Sequence, residues 1–262
     1  MKSLDSAMRV LMTFMADQKS LGVMELAEQV NLPKSQVSKI LATLRNHGLV
    51  VQDANTRRYA VGMRAFALGA RFVNFDPLTR EALPVMHGIV RDSGHSARLS
   101  VRDGDEILYL IGVEGPQFFD TGFRAGRWLP WHGSSAGHIL MGYVPDGDLD
   151  RMLGSRQLDP VTPFTTVDPV ALRKTIHASH ARGYDVQRNE TTVGIATIAV
   201  PIIGSDGDAI GALSLVFQEQ HLRAEDEHTH AAHLHQGART ISVRMGSMSY
   251  PFGAVEGRQG TK

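Results

Sequence analysis

"GSSAG", Gly133 to Gly137, fits the G-x-S-x-G pattern in which a serine hydroxyl acts as a hydrolytic nucleophile. That chemistry needs a buried strand running into the motif, with an acid and a histidine beyond it. What precedes it is "RWLPWH", and Pro130 cannot donate to a sheet ladder. Ser135 therefore lacks the scaffold of a nucleophile, and no catalytic residue is assigned. The same residues suit another task. Small side chains opening a helix leave first-turn N–H groups accessible at the positive end of its dipole. Ser134, Ser135 and Ala136 could receive a carboxylate there, unless the small residues serve only to let the helix pack closely.

A second cluster is "HLRAEDEHTHAAHLHQ", with five histidines. A zinc site needs three or four converging ligands. His228, His230, His233 and His235 spread around a helix instead of sharing a face. The expectation is a polar surface helix, with neither metal nor cofactor.

A third is "NLPKSQVSKILATLRNHGLV", residues 31–50, in which Lys34, Ser35, Gln36, Ser38 and Lys39 crowd the start of a helix. Val37, Ile40, Leu41 and Leu44 recur at i, i+3, i+4, i+7 and form its inner face. The polar residues therefore point outward. Two helices precede it, one with Ala7, Val10, Leu11 and Phe14 inward and one with Leu26, Ala27 and Val30 inward. The turn between the second and third is about three residues, which is helix-turn-helix spacing. "LVVQDANTRRYAVG" then reads as a hairpin with Arg57 and Arg58 near its tip. Helix-turn-helix plus basic hairpin is a winged helix. Ser35, Gln36 and Ser38 have the donors and acceptors to read base edges or phosphates, and Lys34, Lys39, Arg57 and Arg58 the charge to neutralise phosphates.

Charge agrees with this reading. Residues 1–75 carry ten Lys/Arg and five Asp/Glu, a net +5 in a chain of net charge zero, so the remainder carries −5. A basic segment joined to an acidic one points to a polyanion partner for the first. The chain has no cysteine, which excludes disulfides and thiolate metal sites. "MKSLDSAMRVLMTF" is no signal peptide, and no apolar run reaches membrane-spanning length. A cytoplasmic protein with no membrane partner is expected.

The resemblance then becomes specific. "SLDSAMRVLMTF", "MELAEQVNLPKSQVSKILATLRNHGLVVQD" and "RRYAVGMRAFALGARF" resemble the IclR family of bacterial transcription regulators. "DGDEILYLIGVEGP", "AGRWLPWHGSSAGHILMG", "ARGYDVQRNE" and "GALSLVF" follow in the family's order, so the resemblance covers about residues 3–245. It implies a winged helix-turn-helix over 1–62, a linker helix over 63–76 and an effector-binding domain over 77–245. Residues 246–262 read as a flexible tail. Helices and antiparallel strands intermix after residue 77, giving α+β architecture. The resemblance implies a GAF-like curved sheet with helices on one side and a ligand cavity on the other. It also implies a homodimer or homotetramer on a palindromic double-stranded DNA operator, released or recruited by a small effector.

Carried over position by position, the resemblance places Leu129, Ser135, Ala136, Gln187, Ile195, Thr197 and Ser214 in the effector pocket. Where many members read G-x-R-C, this chain reads "GIAT", with Ala196 and Thr197 in place of Arg and Cys. Phe118, Phe119, Phe123, Trp128 and Trp131 are five of the chain's seventeen aromatics, set within fourteen residues. Such a cluster suits a ring compound. Arg124 or Arg127 is the expected partner of its carboxylate. An aromatic acid such as 4-hydroxybenzoate is the expected effector, with a small oxo-acid such as glyoxylate or pyruvate as the alternative.

Overall fold

The computed structural model describes residues 2–16, 18–116, 125–155 and 157–253. They form two compact units, Met1–Asp76 and Pro77–Lys262.

The first unit opens with α1 (Lys2–Met12), extended by a 3-10 turn at Thr13–Met15, then α2 (Val23–Val30) and α3 (Lys34–Asn46). Val10, Phe14, Leu26, Val30, Val37, Leu41 and Leu44 meet in one core. Burying those faces against one another is what holds such short helices in place. Asn31 ends α2 in the left-handed region at φ 50°, which its short polar side chain tolerates. Pro33 at φ −57° then starts α3. The strands β1 (Val50–Gln52) and β2 (Tyr59–Val61) pair antiparallel, and Leu21 adds a bridge to Tyr59. This is a winged helix-turn-helix. The helix α4 (Met63–Phe75) follows, and none of its residues is buried. Leu68, Phe72 and Phe75, at i, i+4 and i+7, are 69%, 57% and 68% exposed.

The second unit begins with α5 (Pro77–Ser93), then β3 (Ser96–Asp103) and β4 (Glu106–Val113). A two-residue strand β5 (Trp128–Leu129) leads into α6 (Ser135–Met141), α7 (Asp146–Ser155) and α8 (Pro169–Arg182). The chain closes with β6 (Asp185–Arg188), β7 (Ile195–Ile203), β8 (Ala209–Gln218) and α9 (Glu227–Arg244). The six strands form one antiparallel sheet in the order β5-β4-β3-β8-β7-β6.

Side chains alternate across such a sheet, and directly paired residues share a face. Leu99, Leu213 and Val200 are paired in one row, and α5 and α9 pack on their face. Arg98, Ser214 and Ala199 are paired in the next row and face the other way. On that second side Ala199 and Ala212 share a core with Ile139 and Leu140 of α6 and Leu172 and Ile176 of α8. Helices therefore cover both faces, where only one covered side was expected.

Three local expectations also change. The helix α7 has no counterpart in the sequence reading. The histidine segment is not a polar surface helix, because α9 lies on β7 and buries Ala231, Leu234, His235, Ala238 and Ile241. Burial pulls His235 down to about 4, so its imidazole is neutral. Finally, residues 246–253 are not a loose tail. Tyr250 donates its hydroxyl to the Pro201 carbonyl at 3.0 Å and lies 2.9 Å from His235 Nδ1. The Phe252 ring stacks on His235. Aromatic side chains docked on a helix are what tie this segment down.

Candidate functional site

In the first unit, α3 presents Lys34, Ser35 and Lys39 to solvent, with Gln36 and Ser38 half-buried beside them. Ser35 and Lys39 lie on the side of α3 opposite Val37, Leu41 and Leu44, which are inside the core, with Gln36 and Ser38 on its flanks and Lys34 exposed at its first turn. A protruding helix with this polar start is the shape that enters a major groove.

The hairpin turn is built by Asp53. Its Oδ1 accepts hydrogen bonds from Thr56 N at 2.6 Å, Thr56 Oγ1 at 2.9 Å and Asn55 N at 3.0 Å. The bonds from Thr56 hold the Asp53 carboxyl below the usual carboxylate range. This turn carries Arg57 outward, exposed and at φ 60°. Arg58 does something else. Its guanidinium grips Glu25 through two hydrogen bonds, of 2.7 and 3.0 Å, and donates to the Ser20 carbonyl at 2.9 Å. It clamps the hairpin to the start of α2, and its side chain stays 39% exposed.

The second unit holds a cavity between the start of α6 and the inner face of the sheet. The cavity is small, about 30 Å³, so a small organic acid would have to widen it on binding. Leu129, Ser134, Ser135, Ala136, Ile195, Thr197 and Ser214 all line it, brought together from α6, β5, β7 and β8. Arg98, Ser100 and Thr191 complete the described lining.

Two expected members stand elsewhere. Gln187 shares its strand face with Thr197 but is absent from the lining. It is buried beside the cavity, its amide nitrogen 2.8 Å from His138 Nδ1 and 3.0 Å from Asp185 Oδ2. Phe118 and Arg124, with Phe119 and Phe123, lie outside the described residues. Trp131 is 8% exposed, belongs to the core around Ile139 and Leu140, and is not among the described lining residues.

The loop before α6 explains its small residues. Ser134 Oγ caps the helix by accepting from Gly137 N at 3.1 Å. A Cβ on Gly137 would lie 2.1 Å from the Trp131 carbonyl oxygen, so only glycine permits that approach. The helix has seven residues and one first-turn N–H already used, so its dipole is a weak anion holder. Ser135 Oγ lies 2.7 Å from Thr197 Oγ1 and has a hydroxyl, not an imidazole, as its partner. The nearby His138 has both ring nitrogens engaged, Nδ1 with Asp185 Oδ2 at 3.1 Å and Nε2 with the His132 carbonyl at 2.9 Å. That arrangement orients the loop at His132 and gives Ser135 no base.

The residue that sequence reasoning missed is Arg98, the cation of the described lining. Its signal was present. In "SARLSV", Ser96, Arg98 and Ser100 alternate with Ala97, Leu99 and Val101, so one face of a central strand is polar. Among the described residues no group of three or more His, Asp or Glu side chains is placed to hold a metal ion. None of the helices they form is long and apolar enough to cross a membrane.

Comparison with known proteins agrees with this architecture. The chain matches the family model of the bacterial transcriptional regulator IclR C-terminal domain over residues 71–243. It matches the IclR helix-turn-helix domain over residues 3–54. It is 30% identical over 214 residues to the HTH-type transcriptional regulator BhcR of Paracoccus denitrificans, covering 82% of this chain and 76% of that protein. Among solved structures, the IclR transcriptional regulator of Alicyclobacillus acidocaldarius superposes with TM-score 0.82 at 24% identity, over 94% of this chain and 99% of that one. An IclR homologue of Microbacterium hydrocarbonoxydans, complexed with 4-hydroxybenzoate, superposes with TM-score 0.77 at 26% identity, over 93% and 98%.

Proposed function

Since the chain belongs to the IclR family of bacterial transcriptional regulators, we propose that its α6–sheet cavity binds a small carboxylate which alters its grip on DNA. The protein is a ligand-responsive, DNA-binding regulator, and its relatives are named as regulators rather than enzymes. The observation that carries the carboxylate reading is the convergence of α6, β3, β5, β7 and β8 on one cavity with a guanidinium and several hydroxyls. A hydroxylated aromatic acid is the leading effector. The neighbour with 4-hydroxybenzoate bound supports it, as do the apolar walls Leu129, Ala136 and Ile195. A small aliphatic oxo-acid is the second reading. Trp131 favours it by belonging to the core, and seven of the ten described lining residues are polar.

On the DNA side, Ser35, Gln36 and Ser38 read bases while Lys34, Lys39 and Arg57 hold phosphates. One winged helix buries too little to be specific, so a homodimer or homotetramer binds a palindromic operator. The exposed stripe Leu68, Phe72 and Phe75 supports pairing through α4, because such a stripe is rarely left open to water.

A thermal-shift panel tests the ligand reading, with 4-hydroxybenzoate, benzoate, phenylacetate, glyoxylate and pyruvate. A true effector at 100 times its dissociation constant adds about 2.7 kcal/mol to the folded state. A shift with 4-hydroxybenzoate is expected. A shift with pyruvate or glyoxylate alone would replace the first reading by the second, and no shift with any acid would overturn both.

A further inference from the structure

A cavity of about 30 Å³ is smaller than any organic acid, so part of its wall must move before a ligand enters. Most of the described lining is held firmly. Arg98, Ser100, Thr197 and Ser214 stand on β3, β7 and β8, each paired on both sides within the sheet. Ser135 and Ala136 belong to α6, whose residues are all buried, and Ser134 caps it. Leu129 lies on the short edge strand β5, and Thr191 on the loop between β6 and β7. Apart from Ser134, Thr191 is the one residue of the described lining outside a helix or strand.

Residues 189–194 form that loop. It turns at Asn189, φ 64°, and at Gly194, φ 85°. Its ends are fixed, because Asn189 N donates to the Ile195 carbonyl at 2.7 Å and Glu219 N donates to the Gly194 carbonyl at 2.8 Å. Its crown has little cover, and Val193 is 60% exposed. The bonds that hold it down come from the segment between α7 and α8. Thr162 donates its hydroxyl to the Asn189 carbonyl, and Thr165 donates its own to the Glu190 carbonyl, each at 2.7 Å. Thr166 N donates to the Glu190 carboxylate at 2.9 Å. Thr165 Oγ1 also accepts from Thr162 N at 2.9 Å and Val161 N at 3.1 Å, which fixes the direction of its own bond. This segment is anchored beside the cavity. His132 donates Nε2–H to the Asp159 carbonyl at 3.0 Å, and a Cβ on Gly133 would press on the Thr165 methyl at 3.2 Å. His132 and Gly133 lead directly into Ser134 and Ser135 of the lining.

We infer that residues 189–194 are the gate of the cavity, and that Thr162 and Thr165 are the latch that holds it shut until the effector lifts it. This rests on the reading of the cavity as the effector site. A few hydrogen bonds from an anchored segment to an exposed loop can open without unpacking a core. Turning at Asn189 and Gly194 lets the stretch between them, Thr191 included, swing away from the start of α6. The liganded state then lacks the latch bonds, so Thr162 and Thr165 lower the affinity for a ligand they do not touch.

The test is calorimetric titration of the full-length protein with 4-hydroxybenzoate and with pyruvate. Thr165→Val keeps the shape of the side chain and removes its hydroxyl. Whichever acid binds the wild type is expected to bind this variant about 2- to 10-fold tighter, since opening no longer breaks that bond. Thr165→Ser keeps the hydroxyl and is expected to bind like the wild type. A residue that merely held the site together would instead weaken binding when changed to valine. The chain has no cysteine, so Thr165→Cys with Glu190→Cys can bolt the gate with one disulfide. Oxidised, this variant is expected to bind at least about 10-fold more weakly than the wild type, and to recover when reduced with dithiothreitol. If Thr165→Val does not bind more tightly, or the oxidised variant binds as well as the reduced one, the loop is not the gate, and the cavity widens elsewhere, as at β5, while still taking the ligand. If the wild type binds neither acid, the inference falls together with the cavity reading.

Discussion

The Ser135 hydroxyl at the start of α6 lies 2.7 Å from the Thr197 hydroxyl on β7, across a separation of 62 residues in the chain. This bond joins the helix to the sheet at the cavity, and each oxygen can exchange its partner for a ligand hydroxyl. Thr197→Val keeps the shape and removes one hydroxyl. It is expected to weaken 4-hydroxybenzoate by about 2- to 10-fold, the value of one hydrogen bond, and to leave benzoate unchanged. Calorimetry with both acids checks this, and an equal loss for both would show that Thr197 does not meet the ligand hydroxyl.

The exposed cations of α3 and the wing should behave differently on DNA from Arg58. Lys39→Ala and Arg57→Ala each remove an exposed cation and are expected to reduce the salt dependence of binding by about one phosphate contact, across all sequences. Arg58→Ala instead unfastens the bond to Glu25 and Ser20. It is expected to lower the melting temperature slightly while changing the salt slope less than Lys39→Ala. Anisotropy titrations at several salt concentrations separate the two, and a larger slope change for Arg58→Ala would make it a phosphate contact as well.

Ser35 and Gln36 should govern which sequence is chosen. Gln36→Ala is expected to relax preference at one position of a selected site, by about 1–3 kcal/mol of discrimination. Selection from random-sequence DNA by wild type and variant measures this. Identical consensus sequences would remove Gln36 from base reading.

The His138–Asp185 pair makes the second unit sensitive to pH in a defined way. Burial is the largest influence and opposes both charges, but their mutual hydrogen bond and charge attraction, with the His132 carbonyl helping His138 and Ser179 and Gln187 helping Asp185, together outweigh it. His138 is raised above its ordinary 6.5, and Asp185 is lowered below its ordinary 3.8. A raised histidine contributes fully below 6.5, and its contribution is lost as pH rises through the folded value. A lowered aspartate contributes fully above 3.8, and its contribution is lost as pH falls through the folded value. The pair therefore stabilises most between those two ordinary values. Asp185→Asn leaves the imidazole without its counter-charge and is expected to cost about 3–5 kcal/mol near pH 6. Denaturant unfolding from pH 4 to 9 checks this, and a variant as stable as wild type at pH 6 would show that the pair contributes nothing.

Pairing through α4 predicts that Phe72→Glu, on the exposed stripe with Leu68 and Phe75, lowers the oligomeric state without unfolding the chain. Sedimentation velocity would show it as a lighter species with an unchanged melting temperature. An unchanged sedimentation coefficient would move the interface elsewhere.

The first unit was legible in the sequence because its elements are local. Val37, Leu41 and Leu44 repeat with helical period, and Asn31 and Pro33 mark the turn. The cavity was legible only where residues sit in recognisable blocks, as Ser135 and Thr197 do. Arg98 was missed because its polar strand face in "SARLSV" shows no partner until β3 is seen between β4 and β8 at the cavity wall. The clamp made by Arg58 was hidden for a similar reason. Its partner Glu25 is 33 residues away, and a basic hairpin alone does not reveal which arginine is already engaged. The final segment was misread because its glycines and serines outweighed Tyr250 and Phe252, whose packing partners lie on α9 and β7.

The measurement that bears most directly on the central claim is DNA affinity with and without effector. The DNA would be a fragment that the protein itself selects from a random-sequence pool, and the effector saturating 4-hydroxybenzoate. A ligand-responsive regulator must change its affinity for that fragment, by about 5- to 150-fold in either direction. By linkage, the fragment must change the affinity for the acid by the same factor. Such a reciprocal change is the predicted result. An affinity for the fragment that stays the same with saturating 4-hydroxybenzoate, when calorimetry shows the acid bound, would contradict the account.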